Sequence, residues 1–374
     1  MNIPVYQPAL DKKETQYVLS ALAEGAISGS YGQYIHKFEE KFSHYCGCSY
    51  GVATNSGTSA LHLALASLGI GEKDEVLVSS FTNMATFFAV LYQGAKPIPI
   101  DVEEDTWNIN SALIEERINN NTKAILVVHI YGHPTDMDPI LSIAKKHGLY
   151  VVEDCAEAHG ALYKGQKVGS LGDVGCFSFY ANKIVTTGEG GMITTNNAEI
   201  ANKAVSLKSL AFGATNKFMH EDIGFGYRMT NLQAAIGCAQ LGKIDRIIER
   251  KREIARYYNE NLREILGLQL PVEKVYARNV YWMYHVVLNK EFGCPREVVM
   301  EKLKERGVET REAFIPYNMQ KIFIRRGWVT GDECPVANYL ARNGFYIPSS
   351  PLLSRKELHY IVSEIRNIQK GINK

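Results

Sequence analysis

The run Phe177-Ser178-Phe179-Tyr180-Ala181-Asn182-Lys183-Ile184-Val185-Thr186-Thr187-Gly188-Glu189-Gly190-Gly191 decides how the rest of the chain is read. It predicts a short apolar strand, a lysine in a polar loop, and glycines that let the backbone reverse. Upstream, the apolar strand Tyr150-Val151-Val152 runs into Glu153-Asp154. Together the two segments supply a lysine able to form an imine and a carboxylate able to hold a protonated ring nitrogen. Lysines and aspartates are mostly solvated surface groups, so the weight rests on the pattern around them.

Outward from this run, helix and strand patterns alternate through the first two thirds of the chain. Phe38 to Tyr45 has helical spacing after a turn at Gly32, and Ser59 to Leu68 is a helix behind a polar entry. Glu75-Val76-Leu77-Val78 and Ala124 to His129 read as buried strands, Ile140 to Lys146 as a helix. Ala95 to Asp101 contains Pro97 and Pro99, which predict an edge strand. Such alternation predicts an α/β fold with a mostly parallel sheet covered by helices. Ligands of these sheets bind beyond the carboxyl ends of the strands, where Asp154 is expected. A long amphipathic helix from Ile244 to Leu266 follows, then a strand from Tyr281 to Leu288, a helix from Arg296 to Glu305 and a last helix from about Lys356 to Gln369. The 374 residues exceed one typical core. A boundary near residue 245 predicts a large domain, 1–245, and a smaller C-terminal α/β domain, 246–374.

Composition excludes several classes. The formal net charge of +1 makes no electrostatic case for nucleic acid or an anionic membrane. No apolar run approaches the roughly 18 residues of a span, and the N-terminus lacks a secretory pattern. Seven scattered cysteines fit a reducing cytoplasm better than a disulfide framework. Cys46-Gly47-Cys48 has no second metal-ligand pair nearby and reads as packed thiols, so no metal is expected.

Two further features bear on chemistry. Asn55-Ser56-Gly57-Thr58-Ser59 precedes the helix at Ala60. A glycine there admits an anion close to backbone N–H groups, and the helix N-terminus adds about half a positive charge. An ordinary Ser/Thr helix cap explains the same residues. Ser178 is a second phosphate candidate. Lysine, aspartate and phosphate cradle together are what a pyridoxal phosphate (PLP) enzyme needs. Lys183 would carry the cofactor and later move a proton as general base and acid. A free lysine near about 10.4 is a poor base, so burial near cationic groups is expected to lower it.

The run Phe177 to Gly191, with Glu153-Asp154-Cys155-Ala156-Glu157-Ala158-His159-Gly160, resembles the fold-type I PLP enzymes that aminate keto sugars, the DegT/StrS-like nucleotide-sugar aminotransferases. Perosamine synthases look nearest. The resemblance extends to Ile3-Pro4-Val5, Ser56-Gly57-Thr58, Val128-His129-Ile130-Tyr131-Gly132 and Tyr227-Arg228-Met229-Thr230-Asn231, and covers nearly the whole chain. It implies a seven-stranded type of large-domain sheet and a homodimer with shared active sites. It also implies L-glutamate as amino donor, a keto-sugar acceptor, and a role in surface polysaccharide synthesis. Residue by residue, it gives Lys183 the cofactor and Asp154 the ring nitrogen. Glu157 then lies near the ring hydroxyl and Ala156 on one ring face. Ser56, Gly57, Thr58 and Ser178 hold the phosphate. Asn83 takes the second-loop position beside the ring, and Ala26, Ser28, Tyr31, Arg228, Arg311 and Asn318 approach the acceptor.

Departures from the family pattern concern the acceptor. Asn83 stands where an aromatic residue usually stacks, Gly226 where an asparagine is common, Ala26 where perosamine synthases tend to have tryptophan, and Asn318 where they have histidine. A small keto phosphate or unlinked keto sugar is therefore an alternative acceptor. A PLP-dependent sugar dehydratase is weaker, because those enzymes carry histidine in place of Lys183. A non-catalytic PLP-binding regulator would want a DNA-binding module, and a dehydrogenase a Gly-x-Gly-x-x-Gly spacing that Gly188-Glu189-Gly190-Gly191 lacks.

Overall fold

The computed structural model describes residues 1–29, 31–213, 215–220 and 222–372. Its largest sheet joins β1 (Tyr50–Thr54), β2 (Glu75–Ser79), β3 (Lys96–Ile100), β4 (Thr122–Val128) and β5 (Tyr150–Asp154) to β8 (Val174–Ser178) and β9 (Gly191–Thr195). Two short strands, β6 (Leu162–Tyr163) and β7 (Gln166–Lys167), form a hairpin between β5 and β8 and pair with β11 (Ala277–Arg278). The order across the large sheet is β1-β9-β8-β5-β4-β2-β3. The pairings from β3 through β2, β4 and β5 to β8 are parallel, while β9 runs antiparallel to both of its neighbours. The prolines of β3 do sit at the edge, where a missing N–H costs no ladder bond.

Strands β2 and β8 are buried along their whole length and β5 beyond Tyr150, the pattern of a parallel sheet covered on both faces. Eight helices belong to this part: α1 (Lys12–Ala23), α2 (Gln33–Cys46), α3 (Gly57–Ser67), α4 (Met84–Tyr92), α5 (Met137–His147), α6 (Ala198–Leu207), α7 (Asn231–Leu241) and α8 (Ile244–Leu262). Helix α3 is buried nearly all round, as its Ala-Leu-His-Leu-Ala-Leu-Ala core requires. Sequence pattern alone leaves α4 and α7 unassigned. Both are too apolar all round to carry a helical stripe.

The C-terminal part is an antiparallel sheet in the order β10 (Leu268–Gln269), β12 (Tyr284–Leu288), β14 (Gly344–Ile347), β13 (Arg311–Glu312). Around it lie α9 (Arg296–Glu305), α10 (Lys321–Arg325), α11 (Pro335–Asn343) and α12 (Arg355–Ile372). Two cores meet along α8. Ile244, Ile247 and Ile248 pack into the first, and Ile254, Ala255, Tyr258 and Leu262 into the second. Ile3, at the other end of the chain, also packs into the second core.

One strand departs from the sequence reading. The run from Tyr281 was expected to be extended throughout, yet β12 begins at Tyr284. Tyr281 adopts a positive φ of 48°, and its N–H is taken by Asn279 Oδ1 at 2.7 Å. That turn carries Trp282 out of the sheet pattern. No described helix is long and apolar enough to cross a membrane.

Candidate active site

A cavity of about 280 Å³ opens at the carboxyl ends of β5 and β8 and the N-terminus of α3. Asp154 is the last residue of β5 and is buried. Thr86 Oγ1 donates to its Oδ2 at 2.8 Å, and the Ala156 N–H donates to its Oδ1 at 3.1 Å. Burial raises the Asp154 carboxyl above its usual value; those two donors, then Lys183 and His129, oppose the rise. A cation in the cavity would hold it ionised.

Behind Asp154, the carboxylate of Glu153 is fully buried yet fully used. It accepts from the N–H groups of Gly169, Leu171 and Gly172 at 2.8 Å each, and it pairs with His129 Nε2 at 3.0 Å. Donor atoms of His129, Glu153 and Cys155 lie within 4.8 Å of one another. With four protein partners on Glu153, hydrogen bonding accounts for this cluster and a metal is not needed.

Ser56 caps α3: its Oγ accepts from Ser59 N, and Ser59 Oγ accepts from Ser56 N. The first N–H groups of the helix, those of Gly57 and Thr58, have no intrahelical acceptor. A Cβ on Gly57 would stand 2.6 Å from Ser178 Cβ, so only glycine lets the helix end approach Ser178 this closely.

Lys183 follows β8 in a loop that reverses at Gly188, whose φ is +82°. Its Nζ sits 3.6 Å from the centroid of the Trp282 ring, and Trp282 Nε1 donates to Asn182 O at 2.8 Å. Burial lowers the Lys183 ammonium below its usual value. The expectation of cationic neighbours is corrected here: the charges facing it are Glu157 and Asp154, which pull its pKa back up. Glu157 accepts from Tyr131 N at 2.7 Å, and burial raises its carboxyl to about 7 against the pull of Lys183.

Every cofactor residue expected from sequence lines this one cavity: Ser56, Gly57, Thr58, Asn83, Asp154, Ala156, Glu157, Ser178 and Lys183. Asn83 has an additional job, since its Oδ1 caps α4 by accepting from Ala85 N at 2.9 Å. None of the six acceptor candidates lines it. Ala26 is buried, with its carbonyl taken by Asn231 Nδ2 at 2.6 Å. The Ser28 carbonyl accepts from Asn231 N. Tyr31 is exposed and donates to Gly25 O. Arg228 bridges Thr54, and exposed Arg311 pairs with Glu309. Asn318 is wholly buried, its amide donating to Gly331 O at 2.8 Å and Asn338 Oδ1 at 2.9 Å. Its amide nitrogen is thus spent on Gly331 and on Asn338 of α11, while its Oδ1 is buried without a partner. Nor does the backbone demand a glycine at 226, where an added Cβ would meet open space.

The cavity adds residues that the sequence reading missed. Trp282, Phe314 and Tyr346 come from the C-terminal part, and Tyr180, Asn182 and Glu189 from the Lys183 loop. Thr86 lies on α4, which the sequence pattern leaves unassigned, and its hydroxyl is 3.0 Å from that of Thr82 just before the helix. No local signal marks Trp282.

A model of the DegT/DnrJ/EryC1/StrS aminotransferase family matches residues 8–366. The chain belongs to this family. It is a PLP-dependent aminotransferase. Among similar proteins, GDP-perosamine synthase of Escherichia coli O157:H7 is 41% identical over 97% of both chains. The GDP-perosamine synthase of Caulobacter vibrioides is 39% identical over 98% of both. The crystal structure of S. venezuelae DesV superposes with a TM-score of 0.90 at 32% identity, covering 96% of this chain and 95% of that one.

Pyridoxal phosphate fits the aminotransferase's cavity. A dianion suits the open helix end beside Ser178, and a buried carboxylate faces inward from β5. A lysine amine made less basic by burial shares the cavity with both and stands over the Trp282 ring.

Proposed function

We propose that this aminotransferase moves the amino group of L-glutamate onto a nucleotide-linked 4-keto-6-deoxyhexose, as a perosamine synthase would, for a surface polysaccharide. The observation that carries the chemistry is Lys183 Nζ sharing one cavity with Asp154 and the α3 N-terminus. The acceptor class is supported by GDP-perosamine synthases at 37–41% identity over at least 97% of the chain.

When bound, pyridoxal phosphate supplies an electron sink for the bond electrons released at the substrate Cα. Lys183 would bind it and then serve as base and acid, taking the Cα proton on Nζ and delivering it to the cofactor's C4′ carbon, across the intervening nitrogen. The lowered ammonium pKa leaves more of that amine free near neutral pH. Asp154, steadied by Thr86 and Ala156, would hold the ring-nitrogen proton. Gly57, Thr58, Ser56 and Ser178 would hold the phosphate. Glu157 would stand toward the ring hydroxyl, and Ala156 and Asn83 beside the ring.

The same reading divides the chain at about residue 245 into a cofactor-holding part and a C-terminal part, and makes the enzyme a cytoplasmic homodimer with shared sites. The handover of α8 between two cores and the free cysteines support it. Ser28, Tyr31, Arg228 and Arg311, away from their own chain's cavity, would then serve the neighbouring site. Ala26 and Asn318 drop out as acceptor contacts.

One observation favours a second acceptor class. Asn83 lines the cavity at a position where the family usually has an aromatic ring, and its amide can bond an oxygen or phosphate, which suits a small keto phosphate or unlinked keto sugar. The deciding experiment presents the pyridoxamine form with nucleotide-linked keto sugars and small keto phosphates, and follows recovery of the visible absorbance of the aldehyde form. GDP-4-keto-6-deoxymannose should restore it fastest. Recovery only with the small acceptors would replace the first reading with the second.

A further inference from the structure

The N-terminal segment and one buried lysine converge on the loop that carries Lys183. Residues Ile3 to Gln7 are stitched to the C-terminal part. Ile3 N donates to Gly307 O at 2.8 Å, and Glu309 N donates to Ile3 O at 2.9 Å. Val5 N donates to Glu309 Oε2 at 2.9 Å, Ser349 N to Val5 O at 3.2 Å, and Ser350 Oγ to Gln7 O at 2.9 Å. Between these anchors the Tyr6 hydroxyl donates to the carbonyl oxygen of Lys183 at 3.0 Å. Burial raises the Tyr6 phenol far above its ordinary value, so it remains a donor.

That contact completes a clamp. The carbonyl before Lys183, of Asn182, accepts from Trp282 Nε1 at 2.8 Å, and Lys183 N donates to Tyr180 O at 2.9 Å. The backbone polar groups on both sides of the Lys183 Cα are thus held. Two of the three partners, Tyr6 and Trp282, come from outside the large sheet and its loops.

Lys251, on α8, lies under Tyr6. It is 1% exposed, and among the described residues no other lysine is buried. Its Nζ donates to Ser349 O at 2.6 Å and lies 5.3 Å from the centroid of the Tyr6 ring. Among the described residues no carboxylate pairs with it: neighbouring Arg250 and Arg252 pair with Glu253 and Glu273. Burying a charged group without a counter-ion is costly, so the site keeps Lys251 against its own stability. Ser349 joins the two ends, accepting from Lys251 and donating to Val5.

We propose that Tyr6 is a positioning residue for Lys183, and that Lys251 holds Tyr6 in place through Ser349 and the face of its ring. The clamp fixes the backbone from which the Lys183 amine must reach both cofactor and substrate, where a small misplacement is costly in rate. This inference rests on Lys183 being the cofactor-bearing lysine. Borohydride reduction of the wild-type holoenzyme followed by peptide mapping tests that premise separately, since a label on any other lysine would refute the premise itself.

The test compares Tyr6→Phe and Lys251→Met with wild type. Tyr6→Phe removes one oxygen and leaves the ring over Lys251, so the fold should survive. Five quantities are read: the PLP dissociation constant of the apoenzyme, the pH midpoint of the holoenzyme's visible absorbance, kcat and KM for L-glutamate, and Tm. Tyr6→Phe should weaken PLP binding about two- to twelvefold, the worth of one hydrogen bond. It should also shift the absorbance midpoint and lower kcat while KM stays near wild type. Lys251→Met should move all three in the same direction with Tm at or above wild type. Wild-type PLP affinity and midpoint in Tyr6→Phe would overturn the proposal. So would losses in Lys251→Met that only follow a fall in Tm.

Discussion

Lys251 is where burial and charge oppose each other most plainly. Desolvation lowers its ammonium to about 7, against about 10.4 in the unfolded chain. Between those values the unfolded state binds the extra proton, so folding stability should rise with pH from about 7 to about 10. Below about 7 both states are protonated and the penalty, about 5 kcal/mol, is fully present. Lys251→Met removes it but leaves the Ser349 carbonyl without its donor, a loss of about 1–3 kcal/mol. The variant should therefore be more stable than wild type at pH 7, and the gap should narrow toward pH 10. Thermal melts of both proteins across that range check this; a gap that widens with pH would refute it. Nothing in the local sequence marks Lys251 as different from its charged neighbours on α8, because its burial comes from segments about 100 and 245 positions away. Lys183 and Asp154 were legible for the opposite reason. Each lies in a contiguous run whose strand and loop residues stand beside it in the sequence.

The site is built from ends of elements: the carboxyl ends of β5 and β8, the N-terminus of α3, and the first turn of α4. Such ends expose backbone groups that regular pairing leaves free. The α3 terminus depends on Gly57, where a Cβ would stand 2.6 Å from Ser178 Cβ. Gly57→Ala should crowd the phosphate cradle and cost about 1–3 kcal/mol of PLP affinity. The better helix propensity of alanine offsets part of the strain in the fold, by about 1 kcal/mol. Titration of the apoenzyme with PLP is the check, and unchanged affinity would show that Ser178 yields freely. The cap at Ser56 and the edge prolines of β3 could be read from composition and spacing. The helix at α4 could not, since Phe87-Phe88-Ala89-Val90-Leu91 has no polar face. With it went the role of Thr86, and the turn at Tyr281 hid Trp282.

For the molecule as a whole, the cavity draws on both parts of the chain: Phe314, Trp282 and Tyr346 reach it from the C-terminal part. Phe218, Met219 and Ile223 stand 64–90% exposed on one segment, an apolar surface that a partner subunit would cover. Sedimentation at micromolar concentration should give about twice the 41.8 kDa of one chain. An active monomer would remove the shared-site reading and with it the roles proposed for Ser28, Tyr31, Arg228 and Arg311.

By itself the sequence determined the fold class and the cofactor chemistry, and it singled out Lys183 and Asp154, which the fold brings to one cavity. Those depend on short-range pattern: apolar runs long enough for strands, glycines where the chain reverses, and polar residues at strand ends. Tertiary structure alone decided which distant residues complete the site and which do not. Trp282 entered through a backbone turn, Tyr6 reached Lys183 across 177 positions, and the Asn318 amide nitrogen was drawn to Asn338 of α11. Such contacts depend on how two cores pack along α8, and packing at that distance leaves no periodicity in the chain.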